Sequence, residues 1–260
     1  MKSVIAFAAL LASSAYFAAA QNHAADLPTS NLLSEPGPTF TVPESELKSP
    51  VTFIAYGDMR FTDPKNTTAT NPAVRKWLVD KLASEAPAAI FLNGDVPLAG
   101  DVVTDYEVYA RESQPWRASG IHVYPALGND EFHGPNPQQC LENWWTAFPE
   151  FRNRRWYSVQ LGARVYAINV DSDASLLPGS DQNRWLTQQL QRLPRSVDFV
   201  LISLHHPPVA DIQTHIEVQA GNAITRDFAG LTREFAACRL YAQLGQNHGR
   251  RTPPSSARKK

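Results

Sequence analysis

The chain has 260 residues, 24 basic against 25 acidic side chains, and a net charge of −1. That balance argues against a nucleic-acid-binding protein, for which only a basic C-terminus speaks, and a chain of this length can bury one sizeable core. Two cysteines, Cys140 and Cys238, are too few for a disulfide framework.

Residues 1–20 carry Lys2, the apolar runs IAFAALL and AYFAAA, and small residues at Ala18 and Ala20. This pattern predicts a cleavable signal peptide rather than a membrane span, because Ser13 and Ser14 interrupt the apolar core and it is too short to cross a bilayer. A secreted or periplasmic protein is expected, with no membrane span after cleavage. Residues 21–50, with Pro28, Pro36, Pro38, Pro43 and Pro50 among Ser, Thr and Glu, read as an extended leader or linker.

The body, 51–237, alternates strand, loop and helix. VTFIAY predicts a first strand running into Gly57-Asp58-Met59-Arg60. Asn71 as N-cap and Pro72 as first helical residue then open a helix whose Val74, Trp77, Leu78 and Leu82 share one face, with Arg75, Lys76 and Asp80 off it. AAIFL runs into Asn93-Gly94-Asp95, Thr104 to Ala118 looks helical, and IHVYPAL runs into Gly128-Asn129-Asp130-Glu131. This order implies parallel strands with right-handed crossovers. QQCLENWWTAF is an amphipathic helical pattern, where Cys140 is expected as a buried free thiol. RWYSVQLG and ARVYAINVDSD read as a hairpin turning at Gly162, hence a second sheet. Asp171 and Asp173 at its end are expected as loop caps. Ser180 opens a helix with Trp185, Leu186, Leu190 and Leu193 inward, and FVLISL runs into His205-His206-Pro207-Pro208.

Four strand-length apolar runs thus end on residues able to hold a metal: Asp58, Asp95, Asn129 and His205. Ligands in open α/β sheets bind outside the carboxyl ends of strands. Two carboxylates, an amide oxygen and an imidazole suit borderline divalent metals. A central carboxylate, Asp95 here, can bridge two cations, and such a pair can clamp both oxygens of a phosphoryl displacement.

Taken in order, GD at Asp58, NGD at Asp95, GN at Asn129 and HHPP at His205 resemble the motifs of the calcineurin-like metallophosphoesterases, purple acid phosphatases included. The resemblance spans about Val51 to Pro208. It implies an α/β two-sheet sandwich flanked by helices, two metal ions (Mn, Fe or Zn), and hydrolysis of a small-molecule phosphoester substrate. It also implies His205, rather than His206, as ligand. No nucleic acid is expected as partner, and the sequence leaves the oligomeric state open.

The departures from that pattern are specific. Arg60 stands where many members have a coordinating His, and a guanidinium cannot bind a metal; it can grip a substrate phosphate or form an ion pair. Asp130 stands where the family has the His that protonates the leaving group, a role open to it only with a raised pKa. Leu98 falls where purple acid phosphatases place their colour-giving Tyr. The family's final Gly-His-x-His motif, which follows one further strand, finds no counterpart. Beyond Phe235 no strand-length apolar run is expected, and 238–260, with six basic residues and no acidic one from Arg239 onward, reads as a basic disordered tail, a truncated or frame-shifted terminus with His248 incidental. Two functions follow: an exported dimetal phosphoesterase, weakened by its incomplete metal shell, or a catalytically inactive remnant or binding protein of the same fold.

Overall fold

A computed structural model describes residues 37–206 and the backbone of 240–244. Among the described residues eight strands form two sheets. The first holds β2 (Phe53–Tyr56), β3 (Ala89–Asn93) and β4 (His122–Ala126), all parallel. The second runs β1 (Phe40–Val42), β5 (Tyr157–Leu161), β6 (Val165–Asn169), β7 (Phe199–Ser203) and β8 (Leu240–Leu244). Its pairings are parallel except for the β5–β6 hairpin at Gly162.

The helices are α1 (Pro72–Ser84), α2 (Val103–Glu112), α3 (Gln114–Ala118), α4 (Pro137–Ala147) and α5 (Asp181–Gln191). Asn71 caps α1 by accepting the Val74 amide, and Ser180 caps α5 by accepting that of Asn183, each relieving an orphan N–H of the first turn. The single helix expected over Thr104–Ala118 is two, broken at Ser113. Pro115 lacks an N–H to continue the ladder and biases the preceding residue away from helical geometry.

Between the sheets lies an aromatic core. Phe40 stacks edge-on to Phe151 at 5.1 Å and to Tyr157 at 5.6 Å, and Phe91 lies on Tyr124 at 5.6 Å. The Tyr157 hydroxyl donates to the Pro125 carbonyl at 2.8 Å, tying the second sheet to the first. A second cluster, with Trp185, Leu186 and Leu190 of α5 against Tyr166, Ile168, Val200 and Ile202, seals the second sheet's other face, as the spacing in α5 predicts.

Three expectations are corrected. The stretch 21–50 is not leader throughout: β1 pairs with β5, and Phe40 enters the core. Three residues among prolines carry no readable period, and the strand exists because an edge accepts it. On α1 the buried residues are Arg75 and Val79, while Val74 and Trp77 are 49% and 62% exposed. Arg75 is drawn in by an ion pair with Glu112 at 2.9 Å and lies over the Phe61 ring at 5.1 Å, so a tertiary partner overrides the apolar stripe. Finally, a strand does follow Phe235: β8 lies parallel to β7, pairing Ser203 with Leu244. The segment expected as tail therefore begins inside the sheet, and the sandwich does not lack this last strand. Residues 1–36, Cys238 and His248 lie outside the described residues, whereas Cys140 is a buried free thiol.

Candidate metal centre

The parallel pairings align the strand ends. Asn93 pairs with Ala126 and Tyr56 with Leu92, so the loops after β2, β3 and β4 leave one rim side by side. They stay paired beyond the strands: the amides of Asp58, Arg60 and Phe61 donate to the carbonyls of Gly94, Asp95 and Val96. Asp58, Arg60 and Asp95 adopt left-handed backbone, φ 56°, 47° and 54°. Such conformations cost roughly 1–3 kcal/mol each in unfavourable cases and concentrate at ligand sites. Asp tolerates them better than most residues.

Asp58, Asp95 and His205 each offer an atom within 4.8 Å of the others. His205 comes from the second sheet, so the centre sits where the rims of both sheets meet. Its Nδ1 lies 2.9 Å from the Asn93 carbonyl. That oxygen only accepts, so in the neutral ring Nδ1 carries the proton and Nε2 keeps its lone pair. Nε2 faces Asn129 Oδ1 at 3.0 Å and Asp95 Oδ1 at 3.3 Å. Asn129 is held in this orientation because its Nδ2 donates to Asp130 Oδ1 at 2.9 Å. Three acceptor atoms thus converge, an arrangement that calls for a positive charge between them. Oxygen, oxygen and imidazole nitrogen are the donor set a borderline divalent ion takes, so the residues fit a metal.

Backbone without side chains makes room for this. A Cβ on Gly128 would lie 2.6 Å from Asp95 Oδ1 and 2.8 Å from His205 Cγ; one on Gly94, φ 84°, would meet His205 Nδ1 at 2.8 Å.

Around the donors, Arg60 Nη2 donates to Asp95 Oδ2 at 3.2 Å and its Nε lies 3.0 Å from Asp130 Oδ2. Burial, then the Asp95 carboxylate, push Asp130 up to about 8, with Arg60 opposing. Burial and Asp171 likewise push Asp173 up to about 8. His206 turns from the centre, its Nδ1 2.9 Å from Ser172 Oγ. Asp171 accepts Arg155 Nε at 2.6 Å and the Asp173 amide at 2.8 Å, a buried structural pair that also holds the turn.

Glu131 was given no role by the sequence. Fully buried, it accepts the amides of Asp95 (2.9 Å), Val96 (2.8 Å) and Gly128 (2.8 Å), clamping the β3 and β4 turns together. Burial raises its acid and the three amides oppose this. Its place beside Asn129-Asp130 was the one available signal.

No family model matches the sequence, and no curated protein matches it. Among solved structures, the fold is similar to a purple acid phosphatase from yellow lupin (Lupinus luteus) seeds, TM-score 0.57 at 18% identity, covering 71% of this chain and 36% of that one. The chain thus spans about a third of that protein's length. A dimetal phosphatase from Danio rerio is also similar, with TM-score 0.44, 16% identity, and coverage of 68% of this chain and 77% of the other. Two parallel-rich sheets, flanking helices and a metal-capable rim are therefore those of a metallophosphoesterase-like fold.

Proposed function

We propose that the protein is an exported, metal-dependent phosphoesterase that hydrolyses small-molecule phosphate esters. The observation that carries this is the convergence of Asp58, Asp95, Asn129 and His205 on one point of the rim. These four residues would hold a Mn, Fe or Zn ion. A divalent ion there supplies Lewis acidity and a nucleophilic water near neutral pH.

The remaining work falls to the chain's own residues. Arg60, whose side chain is 41% exposed, presents the guanidinium outward to bind a phosphate oxygen of the ester. In hydrolysis, water adds to phosphorus, the P–O ester bond breaks, and the leaving alcohol takes a proton. Asp130 is a positioning residue rather than the proton donor. Both its oxygens are engaged, by Arg60 and Asn129, so it orients the phosphate grip and the amide ligand together. The resemblance also calls for ligands after one more strand. β8 is such a strand, and the residues that follow it lie outside the described residues.

Export rests on the signal-like residues 1–20. Among the described residues no helix is long and apolar enough to cross a membrane.

Aryl phosphate mono- and diesters assayed with Mn, Zn or Fe test the proposal. Turnover should depend on metal and fall by roughly 100-fold or more in Asp95→Asn. A folded protein with no metal-dependent turnover would instead establish the second reading, a non-catalytic binding protein of this fold, which the replacement of a coordinating His by Arg60 favours.

A further inference from the structure

Asp95 divides its two oxygens between different neighbours. Oδ1 faces His205 Nε2 at 3.3 Å and accepts the Asp130 amide at 3.0 Å, whereas Oδ2 accepts Arg60 Nη2 at 3.2 Å. A carboxylate can bridge two cations by giving one oxygen to each. Here the second oxygen is already spent on a cation that belongs to the chain.

We infer that the centre takes one divalent ion and not two, with the Arg60 guanidinium standing permanently in the place of the second. This deepens the metallophosphoesterase reading and rests on it. Three observations support the count. The Arg60 backbone is fixed beside Asp95: its left-handed conformation, φ 47°, is pinned by its amide on the Asp95 carbonyl at 3.0 Å and by Arg75 Nη1 on its own carbonyl at 3.2 Å. The guanidinium spans two carboxylates, Asp95 Oδ2 and Asp130 Oδ2, and so covers the Asp95 oxygen left over by the first ion. It also stays protonated at any pH a protein survives, so it cannot turn into a ligand.

Charge agrees. Arg60 already gives one positive charge to the carboxylates of Asp95 and Asp130, and one divalent ion adds two more. A second divalent ion would leave the cluster strongly positive and lie against the guanidinium. A phosphate oxygen that would rest on the second metal is met instead by a planar donor fork, which favours bidentate contact with an oxyanion.

The test counts metal. The full chain, loaded with Mn2+ and freed of excess, should hold one ion per chain by elemental analysis and give the six-line EPR signal of isolated Mn2+. Arg60→His should hold two, with a spin-coupled multiline spectrum, and Arg60→Lys, which keeps the charge, should hold one. Two ions in the wild-type chain would overturn the single-ion inference and leave the phosphoesterase reading standing. No bound metal at all would overturn that reading itself. One ion in a folded Arg60→His would remove Arg60 as the reason for the count.

Discussion

Gly128 sets the tolerance of the proposed metal centre. Its missing side chain is what lets Asp95 and His205 approach each other, since a methyl there would sit 2.6 Å from Asp95 Oδ1. Ligands displaced by a few tenths of an ångström still bind, but less well. Gly128→Ala is therefore expected to weaken Mn2+ binding by about 10–100-fold, as loss of supporting contacts around metal ligands does, while the far-UV spectrum stays unchanged. Isothermal titration of the metal checks the first part and circular dichroism the second. At this scale the sequence was informative: Asp58, Asp95, Asn129 and His205 each follow an apolar run, so their place at strand ends was legible. The neighbours that make them work were not. Glu131 binds backbone amides 35 and 36 residues away in sequence, and no local pattern marks such a bond.

Helix α1 shows how an element's buried face is decided. Its hydrophobic spacing points to Val74 and Trp77, yet Arg75 is 3% exposed and Trp77 62%. Arg75 reaches Glu112 of α2 by Nε at 2.9 Å and by Nη2 at 3.1 Å, and donates to the carbonyls of Arg60 and Thr62, each at 3.2 Å. One guanidinium thus ties α1, α2 and the loop after β2. Removing one partner of a buried pair strands the other's charge, so Arg75→Ala should cost about 3–5 kcal/mol in urea denaturation. Trp77→Ser should cost under about 0.5 kcal/mol in the same measurement, the usual range for surface changes. The reverse ranking would restore the face that the spacing suggests. β1 and β8 belong to this scale as well: each is short, flanked by non-periodic sequence, and defined only by the neighbour it pairs with.

Across the whole molecule, the meeting of two sheet rims concentrates acids that water alone would keep ionised. Asp130 and Asp173, both raised from the ordinary 3.8 to about 8, bind a proton more tightly folded than unfolded. These two groups should therefore stabilise the metal-free protein most below the ordinary carboxylate value and contribute progressively less as pH rises towards about 8. A bound cation takes over from the protons, so Mn2+ should flatten that slope. Thermal melts across this range, with chelator and with Mn2+, check it; a metal-free melting temperature that rises between about pH 5 and about pH 8 would contradict it. By itself the sequence determined the alternation of strands and helices, the caps at Asn71 and Ser180, the Gly162 hairpin and the residue that ends each strand, because these are set by neighbours a few positions apart. Tertiary structure alone decided that His205 arrives from the second sheet, that Arg75 is buried, that Arg60 takes the second oxygen of Asp95, and that short runs at both ends of the body become edge strands. Each of those depends on a partner distant in sequence, whose charge or hydrogen-bonding edge exists only once the two sheets have packed.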